Sequence, residues 1–319
     1  HFEQYTDTLN GKAPHYAMLA EVSSLEPQHA DDILRRWREI FHQCSAMVEQ
    51  GMAEGVIEKY NPAIVSSAIF SIIQWFPVWL NRSYAAHPEP VIEAVLDVLV
   101  NGLASQPHQF ADIDFPELNN LSLDNFDREM QNRIKREAFY RVGSIYFNQK
   151  GYKGTSLDEI AASLDVTKGA FYYHIKNKEE LLYQCFNRTL DVEKMLLAKA
   201  GSAEGSGLEK LELALRYLFN VQFSEDGPLI RYRLLPSLDE EHRKIILKAT
   251  SANSEQLGAY IRQGFSDKTL REIDAGVAQH ILAGAVEASP DLVNWVSDID
   301  SKVLSSAYFN LFINGLAVR

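Results

Sequence analysis

The chain contains little cysteine: two residues, Cys44 and Cys185, among 319. They lie far apart in the sequence, so a disulfide framework of the kind that staples small secreted domains is not expected, and a reducing cytoplasm fits. No run of about 20 apolar residues occurs, which argues against a membrane span. No signal peptide is evident either, although the chain starts at His1 and not at Met.

Motifs of catalysis and metal binding are absent from the sequence. It has no HExxH, CxxC or GxSxG motif and no glycine loop that could cradle a phosphate. The nine histidines are scattered without the spacing of metal ligands. The glycine-rich stretch 201–207 is typical of a flexible loop between helices. We therefore expect no catalytic residues, no metal and no cofactor.

The net charge of −12 is distributed unevenly along the chain. Residues 125–190 contain eleven Lys or Arg against eight Asp or Glu, a net charge of +3. The remaining residues contain twenty against thirty-five, a net charge of −15. Because local charge governs contact with phosphates, the basic segment is the one suited to nucleic acid.

Residues 155–181 combine three helix starts with one tight turn. Ser156, followed by Glu three positions later, predicts a capping box at the first helix. Asp165 tolerates the left-handed conformation that the turn needs. Thr167 is placed to cap a short second helix, and Asn177 to start a third through a second capping box. The pattern predicts a helix-turn-helix whose second helix is short and aromatic.

The second of these helices carries residues suited to phosphate contact. Helix N-termini hold anions through free N–H groups and a partial positive charge. Lys168 opposes the helix dipole in the first turn, so a nearby anion explains it better than helix stability does. Of the adjacent Tyr172 and Tyr173, we expect one to pack inside the domain and the other to present its hydroxyl to a phosphate. A purely structural three-helix bundle is the alternative.

This segment resembles the DNA-binding domain of the TetR family of bacterial transcriptional regulators. The resemblance also takes in the preceding helix, residues 133–154, and is most specific over 166–174 (VTKGAFYYH) and 176–181 (KNKEEL). One departure is the turn, where the family commonly has Ala-Gly and this chain has Leu164-Asp165. We expect the added carboxylate to weaken DNA binding slightly.

The resemblance implies a DNA-binding site. In the family, the residues matching Thr167, Lys168, Gly169 and Tyr173 approach DNA. Those matching Thr155 and Lys178 hold phosphates. Together with their neighbours, the predicted DNA-binding residues are Thr155, Ser156, Thr167, Lys168, Gly169, Ala170, Tyr172, Tyr173, His174 and Lys178.

A second feature is a repeat that spans the chain. Asn-Gly-Leu-Ala at residues 101–104 recurs at 314–317, an offset of 213. At the same offset His29 matches His242 and Pro77 matches Pro290. Ser24-Leu25 and Asn81 also match identical residues at that offset. Helix-length apolar patterns dominate both copies and strand alternation is missing, so we predict an all-α fold with two related helical domains.

The family places a helical effector and dimerisation domain after its DNA-binding domain. The resemblance therefore implies two TetR-like units in tandem, the first without its DNA-binding domain. The predicted domains are a first effector domain truncated at its start (1–104), a linker (105–124), the DNA-binding domain (125–190) and a second effector domain (191–319).

The repeat also predicts how the two copies meet. Helices near 62–84 and 91–104 are expected to pack against those near 275–297 and 304–317 as a four-helix interface, which would make the chain an intrachain pseudo-dimer. A homodimer of the whole chain through the same faces is the alternative.

Large aromatic side chains occur in both copies. For any one of them, packing in the core or at an interface is the simpler explanation, but as a group they fit a mostly apolar ligand pocket. His280 and Glu287, seven residues apart on a predicted helix, are either polar anchors of a pocket or an interface pair, and the second is the simpler. The candidate ligand-binding residues are Phe219, Phe223, Tyr260, His280, Trp75 and Trp79.

These observations predict a cytoplasmic, ligand-responsive transcriptional regulator, most often a repressor in this family. Its expected partners are an operator in double-stranded DNA and a small apolar or amphipathic effector, with no membrane. The alternative is a helical small-molecule-binding or scaffolding protein with a vestigial helix-turn-helix. An enzyme would need a catalytic constellation that the sequence does not display.

Overall fold

A computed structural model describes residues 2–9, 11–13, 22, 25–80, 84, 88–116, 118, 128–296 and 300–318. In these residues the regular structure is helical, with isolated β-bridges but no strand, which confirms the predicted all-α fold. The helices are α1 (Phe2–Leu9), α2 (Pro27–Ala53), α3 (Pro62–Trp79), α4 (Pro88–Asn101), α5 (Arg128–Gly154), α6 (Leu157–Ser163), α7 (Lys168–His174), α8 (Lys178–Gly201), α9 (Gly207–Phe223), α10 (Glu240–Ser266), α11 (Ala275–Ala288) and α12 (Ser301–Asn314), with 3₁₀ turns at Tyr232–Ser237 and Ser289–Asn294.

The described residues form two compact units, each made of segments that are separate in the sequence. The first, here called the helical body, comprises His1–Ile113, Glu204–Arg216 and Leu257–Arg319. The second, the reader unit, comprises Asp114–Ala203 and Tyr217–Gln256. Parts of the predicted layout lie outside the described residues: Ser24, Asn81, linker residues 117 and 119–124, and the start of the DNA-binding domain at 125–127. The predicted division into three domains and a linker remains a prediction.

The internal repeat is visible in the bounds of the helices. α2 and α10 begin and end 213 residues apart, and so do α4 and α12. α3 and α11 also begin 213 residues apart, after equivalent caps. Asn61 accepts the backbone N–H of Ala63 at 2.9 Å, and Asp274 accepts that of Val277 at 2.9 Å. The two helices differ in where they end. α3 continues through Pro77, whereas α11 ends earlier and is followed by a 3₁₀ turn that contains Pro290.

The centre of the helical body is formed by helices from both copies. α3 packs against α11 and α12, and α4 packs against the same two helices. α3 and α11 approach closely at Gly284, where an added Cβ would lie 2.8 Å from the Trp75 side chain. Among the described residues, α3 is the one helix long and apolar enough to cross a membrane, but half of it is buried in this packing. The composition of α3 is therefore that of a core helix.

The two Asn-Gly-Leu-Ala segments lie against each other. Gly102 and Gly315 both have a positive φ, 67° and 83°, and a Cβ on either would come within 2.4–2.5 Å of the backbone of the other segment. Each contact between the segments has its image at an offset of 213, as a two-fold arrangement requires. The hydrogen bonds, of 2.8–2.9 Å, are Leu103 N–H to Phe312 O with Leu316 N–H to Leu99 O, and Ala104 N–H to Ile313 O with Ala317 N–H to Val100 O.

The linker is irregular where it is described, as predicted, but its residues 105–113 dock on the helical body. The Asn314 amide accepts the His108 N–H at 2.8 Å and donates to the His108 carbonyl at 2.9 Å. The buried Glu212 carboxylate accepts the Ala111 N–H at 3.1 Å and lies 2.7 Å from His108 Nε2. Arg216 pairs with Glu212 and donates to the Ala111 carbonyl, both at 2.6 Å. Sequence alone could not predict this docking, since the partners lie about a hundred residues or more from the linker.

The reader unit is built around α5, which packs against α6, α8 and the 3₁₀ turn Tyr232–Ser237. Its core is aromatic and fully buried at Phe147, Phe171 and Phe186. Cys185 lies in the same core, where its thiol donates to the Tyr140 carbonyl at 3.2 Å. Burial raises the pKa of the Cys185 thiol to about 12, so this cysteine is neutral and unreactive.

Candidate nucleic-acid interface

The caps of the helix-turn-helix match the sequence prediction in part. Thr167 Oγ1 accepts the Ala170 N–H at 3.2 Å, and Asn177 Oδ1 accepts the Glu180 N–H at 2.8 Å, which confirms both caps. Asp165 adopts a φ of 53°, as the turn was predicted to require.

The predicted capping box at Ser156 is wrong. The Ser156 side chain makes no capping hydrogen bond to α6. Its expected partner, Glu159, instead pairs with Lys150 on α5 at 2.7 Å. The second box is also incomplete, since the Glu180 carboxylate accepts the N–H of Lys176 at 3.3 Å. A basic side chain outside the motif takes part in the first case and a neighbouring backbone N–H in the second, and a spacing rule includes neither.

The prediction that one of the two tyrosines packs inside the domain is wrong. Tyr172 is 43% exposed and Tyr173 is 80% exposed. The inward positions belong to Phe171 and Ile175, which are fully buried and four residues apart, on one side of the helix. The face of α7 turned away from the core is therefore exposed along its length. It consists of Thr167, Lys168, Gly169, Ala170, Tyr172 and Tyr173.

An anionic side chain of the reader unit lies beside Lys168, and the phosphate contact predicted for this lysine remains a prediction. Lys168 Nζ is 2.6 Å from the Asp158 carboxylate, and the Tyr172 hydroxyl is 3.4 Å from the other oxygen of Asp158. Their mutual hydrogen bond raises the pKa of Lys168 and lowers the pKa of Asp158. Both side chains are largely exposed to solvent, so the pair is weak and a phosphate could compete with the carboxylate.

Thr155 and Lys178 are placed differently from the residues of α7. The Thr155 side chain is buried, and its hydroxyl donates to the Gly151 carbonyl at 2.7 Å. Lys178 donates to the Thr155 carbonyl at 3.1 Å and lies 4.9 Å from the Tyr152 ring centroid. The phosphate roles predicted for these two residues remain predictions, and that of Thr155 is limited to its backbone.

Two further predicted residues lie at the edges of the exposed face. Ser156 and His174 are half-buried. Burial, and next the nearby Arg136 and Lys135, lower the pKa of His174, so its imidazole is neutral at pH 7.

Gly169 stands out among the exposed residues of α7. An added Cβ would meet no atom within 4 Å. Glycine in a helix costs about 0.5–1 kcal/mol relative to alanine. Packing within the chain therefore does not require a glycine at this position.

The six candidate ligand-binding residues do not form one pocket. Phe219 and Phe223 pack against each other within the reader unit, with their rings tilted and 4.8 Å between the centroids. In the helical body, Trp79 and His280 stack nearly parallel at 4.7 Å between α3 and α11. The helical-body residues Trp75, Trp79 and His280 thus lie where the two copies meet, and Tyr260 is buried on α10. The position of His280 between the copies favours an interface role over that of a polar anchor in a pocket.

Two cavities are lined by other residues. One, of about 440 Å³, lies in the reader unit and is lined by Phe115, Pro116, Leu196, Tyr217, Asn220 and Asp226, among others. Another, of about 510 Å³, lies in the helical body and is lined by Tyr84, Glu93, Asp97, Glu272 and Asp274, among others. The sequence did not reveal the first of these because part of its wall comes from the predicted linker.

Three potential metal ligands meet in the reader unit although their spacing in the sequence gave no signal. His242 Nδ1 lies 2.9 Å from a carboxylate oxygen of Asp239 and 4.0 Å from one of Glu179. Such donors suit a divalent transition metal. Helix capping also accounts for them, since Asp239 accepts the His242 N–H at 2.8 Å and Glu179 accepts the Asp239 N–H at 3.0 Å.

Two family models match this chain, one on each side of the predicted linker. Residues 140–185 match the model of bacterial regulatory proteins of the tetR family. Residues 3–103 match the C-terminal domain described as tetracyclin repressor-like. In this chain the C-terminal type of domain therefore precedes the N-terminal type.

Three individual proteins are similar to parts of this chain. The structure of the ketosteroid transcriptional regulator KstR2 of Mycobacterium tuberculosis is 15% identical, with a TM-score of 0.49 over 58% of this chain and 96% of that one. The Transposon Tn10 TetC protein of Escherichia coli is 26% identical over 171 residues, 51% of this chain and 82% of that protein. The negative transcriptional regulator IcaR of Staphylococcus epidermidis is 45% identical over 49 residues, 14% of this chain and 26% of that protein. Both matched segments, residues 3–103 and 140–185, are thus similar to the TetR family of bacterial transcriptional regulators.

Proposed function

We propose that this regulator is a cytoplasmic, ligand-responsive repressor whose α7 enters the major groove of an operator. The observation that carries the proposal is the exposed face of α7, with a glycine that no internal contact requires and a lysine held only by a weak, exposed pair. Repression is supported by the similarity of the reader unit to IcaR, which is named a negative regulator.

The proposed binding mode assigns separate tasks to the exposed residues. Lys168 leaves Asp158 for a DNA phosphate, and the exposed hydroxyl of Tyr173 reaches a second one. Gly169 lets the sugar-phosphate backbone or a base edge come close to the helix. Phosphate contacts position the helix, and base-edge contacts in the groove supply sequence preference.

The proposal includes an intrachain pseudo-dimer of two TetR-like units. It is supported by the two-fold exchange of hydrogen bonds around Gly102 and Gly315. The order of the family matches also supports it. A tandem of two TetR-like units without its first DNA-binding domain has a C-terminal domain ahead of an N-terminal domain, which is the order of the two matches. A homodimer through the same surfaces would require those backbone contacts to open.

For the effector we propose the cavity of the reader unit. Phe115, Pro116, Leu196 and Tyr217 give it apolar walls, and Asn220 and Asp226 supply polar groups, which suits a small amphipathic molecule. Ligand binding would favour a spacing between readers that no longer fits two half-sites, to the extent that the ligand prefers that state.

The competing function is a helical binding or scaffolding protein whose helix-turn-helix is vestigial. Salt-dependent, sequence-selective DNA binding separates the two. We expect Lys168→Ala to lower the slope of log affinity against log salt by about 1. The matched control is Lys244→Ala, which removes an equally exposed lysine paired with Glu240 on α10. Equal slopes for both variants, or binding without sequence preference, would support the scaffold.

A further inference from the structure

One face of α2 carries an exposed apolar stripe. Its members, here called the α2 stripe, are Ile33, Trp37, Ile40, Cys44 and Met47. They are spaced by four, three, four and three residues, which places them along one side of a helix. Ile33 is 38% exposed, Ile40 50% and Met47 72%, whereas Trp37 and Cys44 are half-buried.

Another face of α2 is already occupied. Phe41 is buried and stacks on Phe70 of α3 at 5.8 Å, and Val48 is buried on the same helix. Trp37 also contacts Phe70, edge to face at 4.6 Å between ring centroids, so the stripe borders the attached face at this residue. At Ile33, Ile40 and Met47 it is a second, exposed apolar face of α2. Contiguous exposed apolar surface of this kind marks an interaction site.

The second copy shows what covers this face. The counterparts of the α2 stripe on α10, at an offset of 213, are Ile246, Thr250, Asn253, Leu257 and Tyr260. Ile246 is 0% exposed and Asn253 9%, and both lie in the reader unit; Leu257 and Tyr260 are also buried, but they belong to the helical body. Ile246 belongs to the same buried cluster as Phe186 and Leu190 of α8. Asn253 Nδ2 donates to the Leu190 carbonyl at 3.1 Å.

The same contrast holds just ahead of the two helices. Leu238, before α10, is 4% exposed and belongs to the core cluster of the reader unit. Its counterpart Leu25, before α2, is 43% exposed. Two helices with identical bounds in the repeat therefore differ over the first half of this face: α8 and the reader core cover Ile246 and Asn253 of α10, whereas their counterparts Ile33 and Ile40 on α2 are 38% and 50% exposed.

We propose that the α2 stripe is the docking surface for a helix equivalent to α8, supplied by a second reader unit that precedes His1 in the same polypeptide. This proposal rests on the tandem arrangement proposed above. The reader unit at Asp114–Ala203 is not the occupant, because its α8 already covers α10. The apolar residues at 33, 40 and 47 suit the apolar face of an amphipathic helix.

Cys44 offers a direct test, since it lies within the stripe and the other cysteine, Cys185, is fully buried with a raised pKa. The rate at which dithiobis-nitrobenzoate labels Cys44 is measured in this 319-residue chain and in the complete polypeptide encoded by its gene. We expect labelling at least about tenfold slower in the complete polypeptide, because a covering helix shields the thiol.

Two variants control the measurement. Ile40→Glu should restore fast labelling in the complete polypeptide by placing a charge under the docked helix. Ile245→Glu, at an apolar residue of similar exposure on α10, should not. Equal labelling rates in the two chains, or a gene product with no helical segment before His1, would overturn the proposal.

A second copy is the competing occupant. Protection of Cys44 that appears in the 319-residue chain as its concentration rises, and that Ile40→Glu abolishes, would assign the stripe to self-association and overturn the proposal. Sequence-selective DNA binding by α7 is measured separately through Lys168→Ala. The repressor function can therefore survive the failure of this proposal, and the two failures are distinguishable.

Discussion

The contact between the two Asn-Gly-Leu-Ala segments and the exposed face of α7 are constructed in opposite ways. The first consists of backbone hydrogen bonds around two glycines that have no room for a side chain. The second consists of side chains with little packing of their own and a glycine surrounded by open space.

This difference shows how one residue type serves two purposes. Gly102 and Gly315 are required by the fold, because both a positive φ and a close backbone contact exclude a side chain. Gly169 has neither reason within the chain. Substitution at these glycines should therefore damage stability in one region and function in the other.

The largest expected effect is that of Gly315→Ala. The added Cβ would lie 2.5 Å from the Val100 carbonyl oxygen at a φ of 83°. We expect a loss of roughly 2–5 kcal/mol in the free energy of unfolding, from backbone strain and overpacking together. Denaturant unfolding followed by circular dichroism measures it.

The matched control for that substitution is Gly55→Ala. Gly55 has a similar φ of 73°, but no atom lies within 4 Å of an added Cβ. It should lose only about 1–2 kcal/mol, the cost of the left-handed conformation. Equal losses at the two glycines would mean that the close contact between the copies contributes nothing.

The next effect is that of Gly169→Ala on DNA binding. Stability should stay level or rise by up to about 1 kcal/mol, since alanine favours a helix and space is available. Operator affinity should fall by about tenfold, or 1.4 kcal/mol, because the methyl group would separate α7 from DNA. Fluorescence anisotropy with a labelled operator measures the affinity, and unfolding is measured on the same sample. Unchanged affinity would remove the close approach from the proposed binding mode.

A smaller effect is expected for Asp158→Asn. The substitution removes the carboxylate that pairs with Lys168 at 2.6 Å and leaves a side chain of the same size. Operator affinity should rise by up to about fivefold, since an exposed pair is weak. The double variant Asp158→Asn with Lys168→Ala should show no such gain. If the gain persists in the double variant, the carboxylate repels DNA directly and does not act through Lys168.

The sequence predicted the helices and the repeat well because both depend on local or self-similar patterns. Thr167, Asn177 and Asp165 act through hydrogen bonds and backbone angles within a few residues, and their roles are visible in the sequence. The bounds of α2 and α10 follow the offset that the tetrapeptide repeat revealed.

Competition between distant side chains could not be predicted in the same way. Glu159 pairs with Lys150 and so does not complete the expected capping box, and Lys168 pairs with Asp158. The docking of His108 on Asn314 joins residues 206 positions apart. The wrong placement of Tyr172 had a different origin, because Phe171 and Ile175 together occupy the inward side of this two-turn helix.

The smallest predicted effect concerns pH and the contact between α3 and α11. Burial lowers the pKa of His280, with Asp274 opposing, and its ring stacks on Trp79. Because the folded pKa lies below the unfolded value of 6.5, this histidine leaves stability complete above pH 6.5 and reduces it as the pH falls below that value. His280→Phe keeps a ring against Trp79 but cannot be protonated, so its melting temperature should decline less between pH 7 and about 5. His29→Phe, at an exposed position of α2, is the control and should retain the full decline; a parallel decline in all three proteins would assign the pH dependence to other groups.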